Sequence, residues 1–145
     1  MTIKVLLVDD EASFVETLGR RLTLRNFVIH QANDAETAMA VLADNPSIDV
    51  VVLDVKMPGT DGLTAIKSIK RRHPLVEVIL LSGHANLEAS VGGMALGAFD
   101  YLLKPVHIDE LVYKIEDAHR RKALQEEKIR ALRGVATLES NGQEP

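Results

Sequence analysis

Three short apolar runs constrain this chain more than any other feature. Val5 to Val8, Val50 to Leu53 and Val78 to Leu81 are continuous, rich in Val and Leu, and do not alternate with polar residues. A strand with one wet face alternates; a run that does not is covered on both faces, as in a parallel sheet. Phe27 to Ala32 and Tyr101 to Leu103 are weaker candidates for two further strands. Helical spacing fills the gaps, first in Phe14, Val15, Leu18 and Leu22, then in Ala35, Ala38, Met39 and Leu42. It returns in Leu63, Ile66 and Ile69, in Leu87, Val91, Met94 and Ala95, and in Ile108, Leu111, Val112 and Ile115. Five strand–helix units predict an α/β fold, a parallel sheet with helices on both faces and right-handed crossovers.

Local signals refine the elements. Asn33 followed by Glu36 predicts a reciprocal cap on the second helix. Gly92-Gly93 falls inside the fourth helix, where each Gly costs about 1 kcal/mol relative to Ala. The pair predicts a packing gap and a loosely held, mobile helix; the alternative is that small residues let it lie close to a neighbour. Glu116 to Arg133 contains neither Gly nor Pro, so the fifth helix is expected to run past Ile115, with Gly134 as its stop. Gly134 to Pro145 is then a frayed tail. The run Arg120-Arg121-Lys122 is offset by nearby acids and reads as a solvated face. Leu124, Ala131, Leu132 and Val135 form a thin apolar stripe, suited either to pairing with another chain or to a solvated linker helix.

Composition removes several classes of function. At roughly 100–200 residues per domain, 145 residues predict one domain. Without cysteine there is no disulfide framework and no thiolate metal site. Lys plus Arg is 17 against 21 Asp plus Glu, which argues against non-specific nucleic-acid binding, and 3% aromatics supply no base-stacking platform. No run approaches the ~18–20 apolar residues of a membrane span. Val5 to Val8, closed by Asp9-Asp10, is too short for a secretory signal. The expectation is a cytoplasmic protein with no membrane association.

Carboxylates gather where ligands bind open α/β sheets, outside the carboxyl ends of the strands. The first strand runs into Asp9-Asp10-Glu11, the third ends in Asp54, the fourth in Ser82-Gly83, the fifth in Lys104-Pro105. With the first strand beside the third, Asp9, Asp10 and Asp54 converge and repel one another unless a cation neutralises them. Oxygen-only ligands suit a hard ion such as magnesium. Lys104 adds a fixed positive charge and Ser82 a hydroxyl that can donate or accept. Such a group binds a phosphoryl group, whose transfer needs mainly positioning and charge neutralisation. Each residue alone has a plainer use: Asp10 or Glu11 favours a helix N-terminus, and a lone Asp at a strand end serves a turn. The signal is four strand ends carrying complementary chemistry.

In combination and order, Val8-Asp9-Asp10-Glu11, Leu53-Asp54-Val55-Lys56-Met57-Pro58-Gly59 with Asp61-Gly62, Leu81-Ser82-Gly83 and Gly97-Ala98-Phe99-Asp100-Tyr101-Leu102-Leu103-Lys104-Pro105 are specific. Over about residues 3 to 120 the chain resembles the receiver domain of two-component response regulators. The resemblance implies a flavodoxin-like (βα)5 doubly wound parallel sheet of strand order 2-1-3-4-5. The expected division is a receiver domain over 1–120, with 121–145, beyond the resemblance, a C-terminal helical extension and disordered tail. By position, Asp54 matches the aspartate phosphorylated by a histidine kinase or phosphotransfer protein. Asp10 matches a direct magnesium ligand, Asp9 one acting through water, and Lys56 a ligand through its backbone carbonyl. Ser82 matches the switch hydroxyl, Lys104 the lysine that pairs with the phosphoryl group, and Tyr101 the aromatic that rotates inward on activation. The Lys104–Pro105 bond is expected to be cis. Lys56 and His84 stand where residues tune phosphoryl lifetime; His84 by itself reads as a loop histidine.

The resemblance implies a signalling module rather than an enzyme, with only self-catalysed phosphotransfer and autodephosphorylation. Its output face is built by the fourth helix, fifth strand and fifth helix. An aspartyl-phosphate phosphatase is the first alternative, but it needs an acid two residues after its nucleophile, where Lys56 stands. A flavin or nucleotide binder on this fold needs a Gly-rich or Ser/Thr-rich loop after the first strand, where Asp9-Asp10-Glu11 stand. The 25 residues after position 120 are too few for a DNA-binding effector domain. The chain is therefore a stand-alone receiver acting on an output protein, or part of a longer regulator, with a homodimer possible and no direct DNA contact of its own.

Overall fold

Five parallel strands form the central sheet: β1 (Lys4–Val8), β2 (Val28–Ala32), β3 (Val50–Asp54), β6 (Glu77–Ser82) and β7 (Asp100–Leu103). Their spatial order is β2-β1-β3-β6-β7, which is 2-1-3-4-5 when these five are counted along the chain. The computed structural model describes residues 2–57, 60–83 and 87–142, and the side chains of all these except 56–57, 60–61, 87 and 136–142. Pro58, Gly59 and His84 lie outside them. Five helices connect or follow the strands: α1 (Ala12–Thr23), α2 (Ala35–Asp44), α3 (Gly62–Arg72), α4 (Leu87–Ala95) and α5 (Ile108–Gly142).

The apolar runs fail to alternate because both faces of the sheet are covered. Leu6, Val8, Val51, Leu53 and Leu80 pack with Ala38, Leu42, Ile66 and Ile69 on the α2, α3 and α4 side. Val5, Leu7, Val52, Ile79 and Leu81 pack with Val15, Leu18, Leu22, Leu111 and Ile115 on the α1 and α5 side. Successive side chains along β1, β3 and β6 therefore enter opposite cores.

Some local expectations are corrected. The cap of α2 is Asp34, not Asn33: its Oδ1 accepts from the Thr37 N–H at 2.7 Å. That backbone hydrogen bond holds the Asp34 carboxyl below the usual carboxylate range. A small antiparallel pair, β4 (Lys56–Met57) with β5 (Thr60–Asp61), follows β3 and was not anticipated, since two residues carry no readable periodicity. Gly93 is no packing gap. A Cβ there would meet Leu80 Cδ1 at 2.4 Å and Ile66 Cδ1 at 3.0 Å, so α4 approaches β6 and α3 through the missing side chain. The helix closes at Gly97 (φ +108°), with Gly97 N–H donating to Met94 O and Ala98 N–H to Gly93 O.

α5 does not stop at Gly134 but continues to Gly142. One interior Gly costs a helix only about 1 kcal/mol, and no proline follows to force an end before Pro145. The basic run of α5 is solvated at Arg120 and Arg121 but not at its third residue. Lys122 is buried, with Nζ 2.9 Å from Asp49 Oδ1 and 3.3 Å from Glu126 Oε1. Arg121 Nε lies 3.7 Å from Glu77 Oε2, and its guanidinium stands over the Phe99 ring. Asp49 and Glu77 flank the N-terminal edge of the sheet, and only the topology brings them to α5. Burial alone would push the Lys122 ammonium's pKa down. The hydrogen bond and charge of Asp49, joined by Glu126, outweigh it and hold the pKa above the ordinary lysine value.

Candidate functional site

The site lies at the opposite, C-terminal edge. Val8 of β1 pairs with Leu53 of β3, so one residue further on Asp9 and Asp54 leave the sheet side by side. Both are buried, at 2% and 6% exposure, while Asp10 is exposed. The Asp9 N–H donates to Ala32 O, and Asp9 Oδ1 accepts from the Glu11 N–H at 3.0 Å. That second bond turns the chain into α1, whose N-cap Glu11 makes no side-chain cap of its own. One carboxylate oxygen each from Asp9, Asp10 and Asp54 lie within 4.8 Å of one another.

Lys104, just beyond β7, reaches this cluster. Its Nζ stands 3.3 Å from Asp9 Oδ2 and 3.7 Å from Asp54 Oδ2. Its backbone N–H donates to Ser82 O at 2.8 Å, tying the end of β7 to the end of β6, and the bond to Pro105 is cis. Asp54 pairs with Leu81, so Ser82 follows one residue beyond. Ser82 is buried and its hydroxyl donates to Gly83 O at 3.0 Å. Tyr101, half-buried on β7, packs on the α2–α4 side of the sheet. The backbone of Lys56 lies in β4, opposite Asp61. Where Asp61-Gly62 leads into α3, the chain passes so close to β3 that a Cβ on Gly62 would stand 2.5 Å from Val55 O.

The structure thus brings Asp9, Asp10, Asp54 and Lys104 together, with Ser82 at the adjoining strand end and Tyr101 further back on β7. One neighbour was read from the sequence only as an apolar helix position: the Phe14 ring lies 4.8 Å below Lys104 Nζ. It stands four residues after Asp10, one helical turn, but nothing in its own pattern distinguishes it from core. Chemically, clustered carboxylate oxygens suit a hard cation, and a cation beside a carboxylate and an ammonium suits a phosphoryl group.

A doubly wound sheet with acids after its first strand and at the end of its third, a hydroxyl at the end of its fourth and a lysine after its fifth has the charge pattern to hold a cation and a phosphoryl group together. The comparisons agree: the response regulator receiver domain family matches residues 5–116, and the chain belongs to that family. It is 40% identical over 114 residues to the DNA-binding transcriptional regulator NtrC of Salmonella typhimurium, covering 79% of this chain and 24% of that protein. To the regulatory protein AtoC of Escherichia coli it is 35% identical over 125 residues, covering 86% and 27%. The chain therefore spans about a quarter of the length of these curated relatives. Among solved structures, a receiver domain protein from Clostridium thermocellum is 34% identical with a TM-score of 0.82, covering 85% of this chain and 98% of that one. NtrX from Brucella abortus is 32% identical with a TM-score of 0.83, covering 90% and 30%. Among the described residues no helix is long and apolar enough to cross a membrane.

Proposed function

We propose that Asp54 accepts a phosphoryl group from the phosphohistidine of a histidine kinase or phosphotransfer protein. The observation that carries this is the position of the Asp54 carboxylate, clustered with Asp9 and Asp10 and 3.7 Å from Lys104 Nζ. A carboxylate oxygen of Asp54 attacks phosphorus, an O–P bond forms, the P–N bond to imidazole breaks, and the imidazole leaves with a proton. Lys104 then moves from Asp9 to a phosphoryl oxygen. Ser82 turns its O–H from Gly83 O to the same group, and Tyr101 follows inward. Asp9, Asp10, Asp54 and the Lys56 carbonyl would hold magnesium, an all-oxygen set that fits it. The bound ion supplies neutralisation of charge on the phosphoryl oxygens.

The rearrangement is read out on the α4–β7–α5 face by an output protein or effector domain. Residues 1–120 form the receiver unit and 121–145 an extension that carries its state outward; the Lys122–Asp49 pair supports a firm joint between them. Exposed Leu124, Leu132 and Val135 favour a second copy of the extension as a partner.

Incubation with acetyl phosphate and magnesium, followed by intact-mass measurement, tests the assignment. Wild type should gain one phosphoryl group and Asp54→Asn none, because an amide cannot form the acyl phosphate. Equal labelling of the two overturns it.

A further inference from the structure

We propose that Phe14 is a positioning residue, holding the Lys104 ammonium within reach of the phosphoryl group through the face of its ring. The inference rests on Asp54 as the phosphoacceptor. Lys104 Nζ has carboxylates on one side, Asp9 Oδ2 at 3.3 Å and Asp54 Oδ2 at 3.7 Å, and the Phe14 ring on another, 4.8 Å from its centroid. A lysine carries a compact charge on a flexible four-carbon stem, which otherwise extends its ammonium into water. The electron-rich face of the ring attracts the ammonium, and its body keeps water from that side.

The placement follows from the chain path. Asp9 turns the backbone into α1, and Phe14 stands in the first turn, so one short segment delivers both the carboxylates and the ring. Val15, Leu18, Gly19 and Leu22 are the buried residues of this helix, whereas Phe14 is only half-buried. Phe14, Thr17 and Leu18 line a cleft with Lys104, Pro105 and Val106, so the ring faces the lysine and not only the core.

A ring serves here better than another acceptor would. Lys104 must leave Asp9 for a phosphoryl oxygen when Asp54 is modified, and a third hydrogen-bond acceptor would hold it back. The attraction of a π-face has no single donor–acceptor line, so the ammonium can shift across it while remaining near the site.

The experiment compares acetyl phosphate labelling rates, with magnesium, for wild type, Phe14→Leu and Phe14→Tyr, each also in a Lys104→Met background. Phe14→Leu keeps apolar bulk and removes the ring face; the rate should fall about two- to five-fold. Phe14→Tyr should restore it. With Lys104→Met, Phe14→Leu should change nothing further, the non-additivity expected of an interacting pair. Where that background labels too slowly, the beryllofluoride-induced rise in melting temperature replaces the rate. Should Phe14→Leu not melt cooperatively, Phe14→Met carries the same comparison. The proposal is overturned if the ringless variant labels at the wild-type rate, if Phe14→Tyr is as slow as Phe14→Leu, or if the loss persists without the lysine. Failure of the underlying reading shows separately, as no labelling of wild type or undiminished labelling of Asp54→Asn.

Discussion

Lys122 of α5 and Asp49 at the foot of β3 form a buried ion pair, 73 residues apart in sequence and 2.9 Å apart in space. Asp49 uses both oxygens: Oδ1 accepts from Lys122 Nζ and Oδ2 from the Lys4 N–H. With Arg121 beside Glu77, this fastens the middle of α5 to the edge of the sheet opposite Asp54.

Breaking that pair should cost more than its distance suggests. Removing one partner of a buried pair strands the other, at about 3–5 kcal/mol. Asp49→Ala should fall near the lower figure, because Glu126 remains 3.3 Å from Lys122. The Arg25–Asp109 pair has the same 2.9 Å separation but largely exposed side chains. Asp109→Ala should cost at most about 1 kcal/mol. Urea unfolding of the two variants measures the contrast, and equal losses would remove the buried anchor.

The same pair sets a pH dependence. The folded-state pKa of Lys122 is raised above that of the unfolded chain. Its contribution is therefore complete below the ordinary lysine pKa, about 10.4, and is lost as pH rises through the folded value. Wild type should lose stability in that alkaline range more steeply than Lys122→Met. Urea midpoints between about pH 8 and 11 give the test, and parallel curves would contradict it.

The two central glycines of α4 should respond in opposite directions. Gly93→Ala gains helix propensity of about 1 kcal/mol but forces a methyl against Leu80 and Ile66, and overpacking costs about 1–3 kcal/mol. Its melting temperature should fall. At Gly92 the nearest atom, Leu63 Cδ1, is 3.4 Å away on a half-buried side chain, so Gly92→Ala should melt higher. A rise in both variants would restore the idea of a loosely packed helix.

Magnesium should raise the melting temperature of wild type. A ligand bound only by the native state at a hundred times its dissociation constant adds about 2.7 kcal/mol. Asp10→Ala should melt higher than wild type without the ion, through relief of repulsion among the clustered carboxylates, and lose most of the magnesium response. Equal magnesium shifts in both proteins would remove Asp10 from the ion's ligands.

Sequence pattern reveals one edge of the sheet and hides the other. Asp9, Asp10, Asp54, Ser82 and Lys104 each stop or follow an apolar run, so their common location follows once the strands are ordered. Asp49 and Glu77 precede such runs, where acids are unremarkable, and their partners lie on a helix whose charges balance locally. Asn33 and Asp34 are chemically equivalent caps, and only the backbone decides between them. Gly93 shows propensity in the sequence and contact in the structure, and the contact prevails because β6 runs directly beneath it.

The length of α5 gives its fastening a mechanical meaning. From Lys122 to Gly142 the helix runs on for about 30 Å at 1.5 Å per residue, which makes it a lever with its fulcrum at Asp49. A tilt of about 10° at that fulcrum would sweep the far end through about 5 Å, roughly one helical turn. Angstrom-scale rearrangement inside the sheet could thus emerge as a displacement large enough to engage or release whatever lies against the tip.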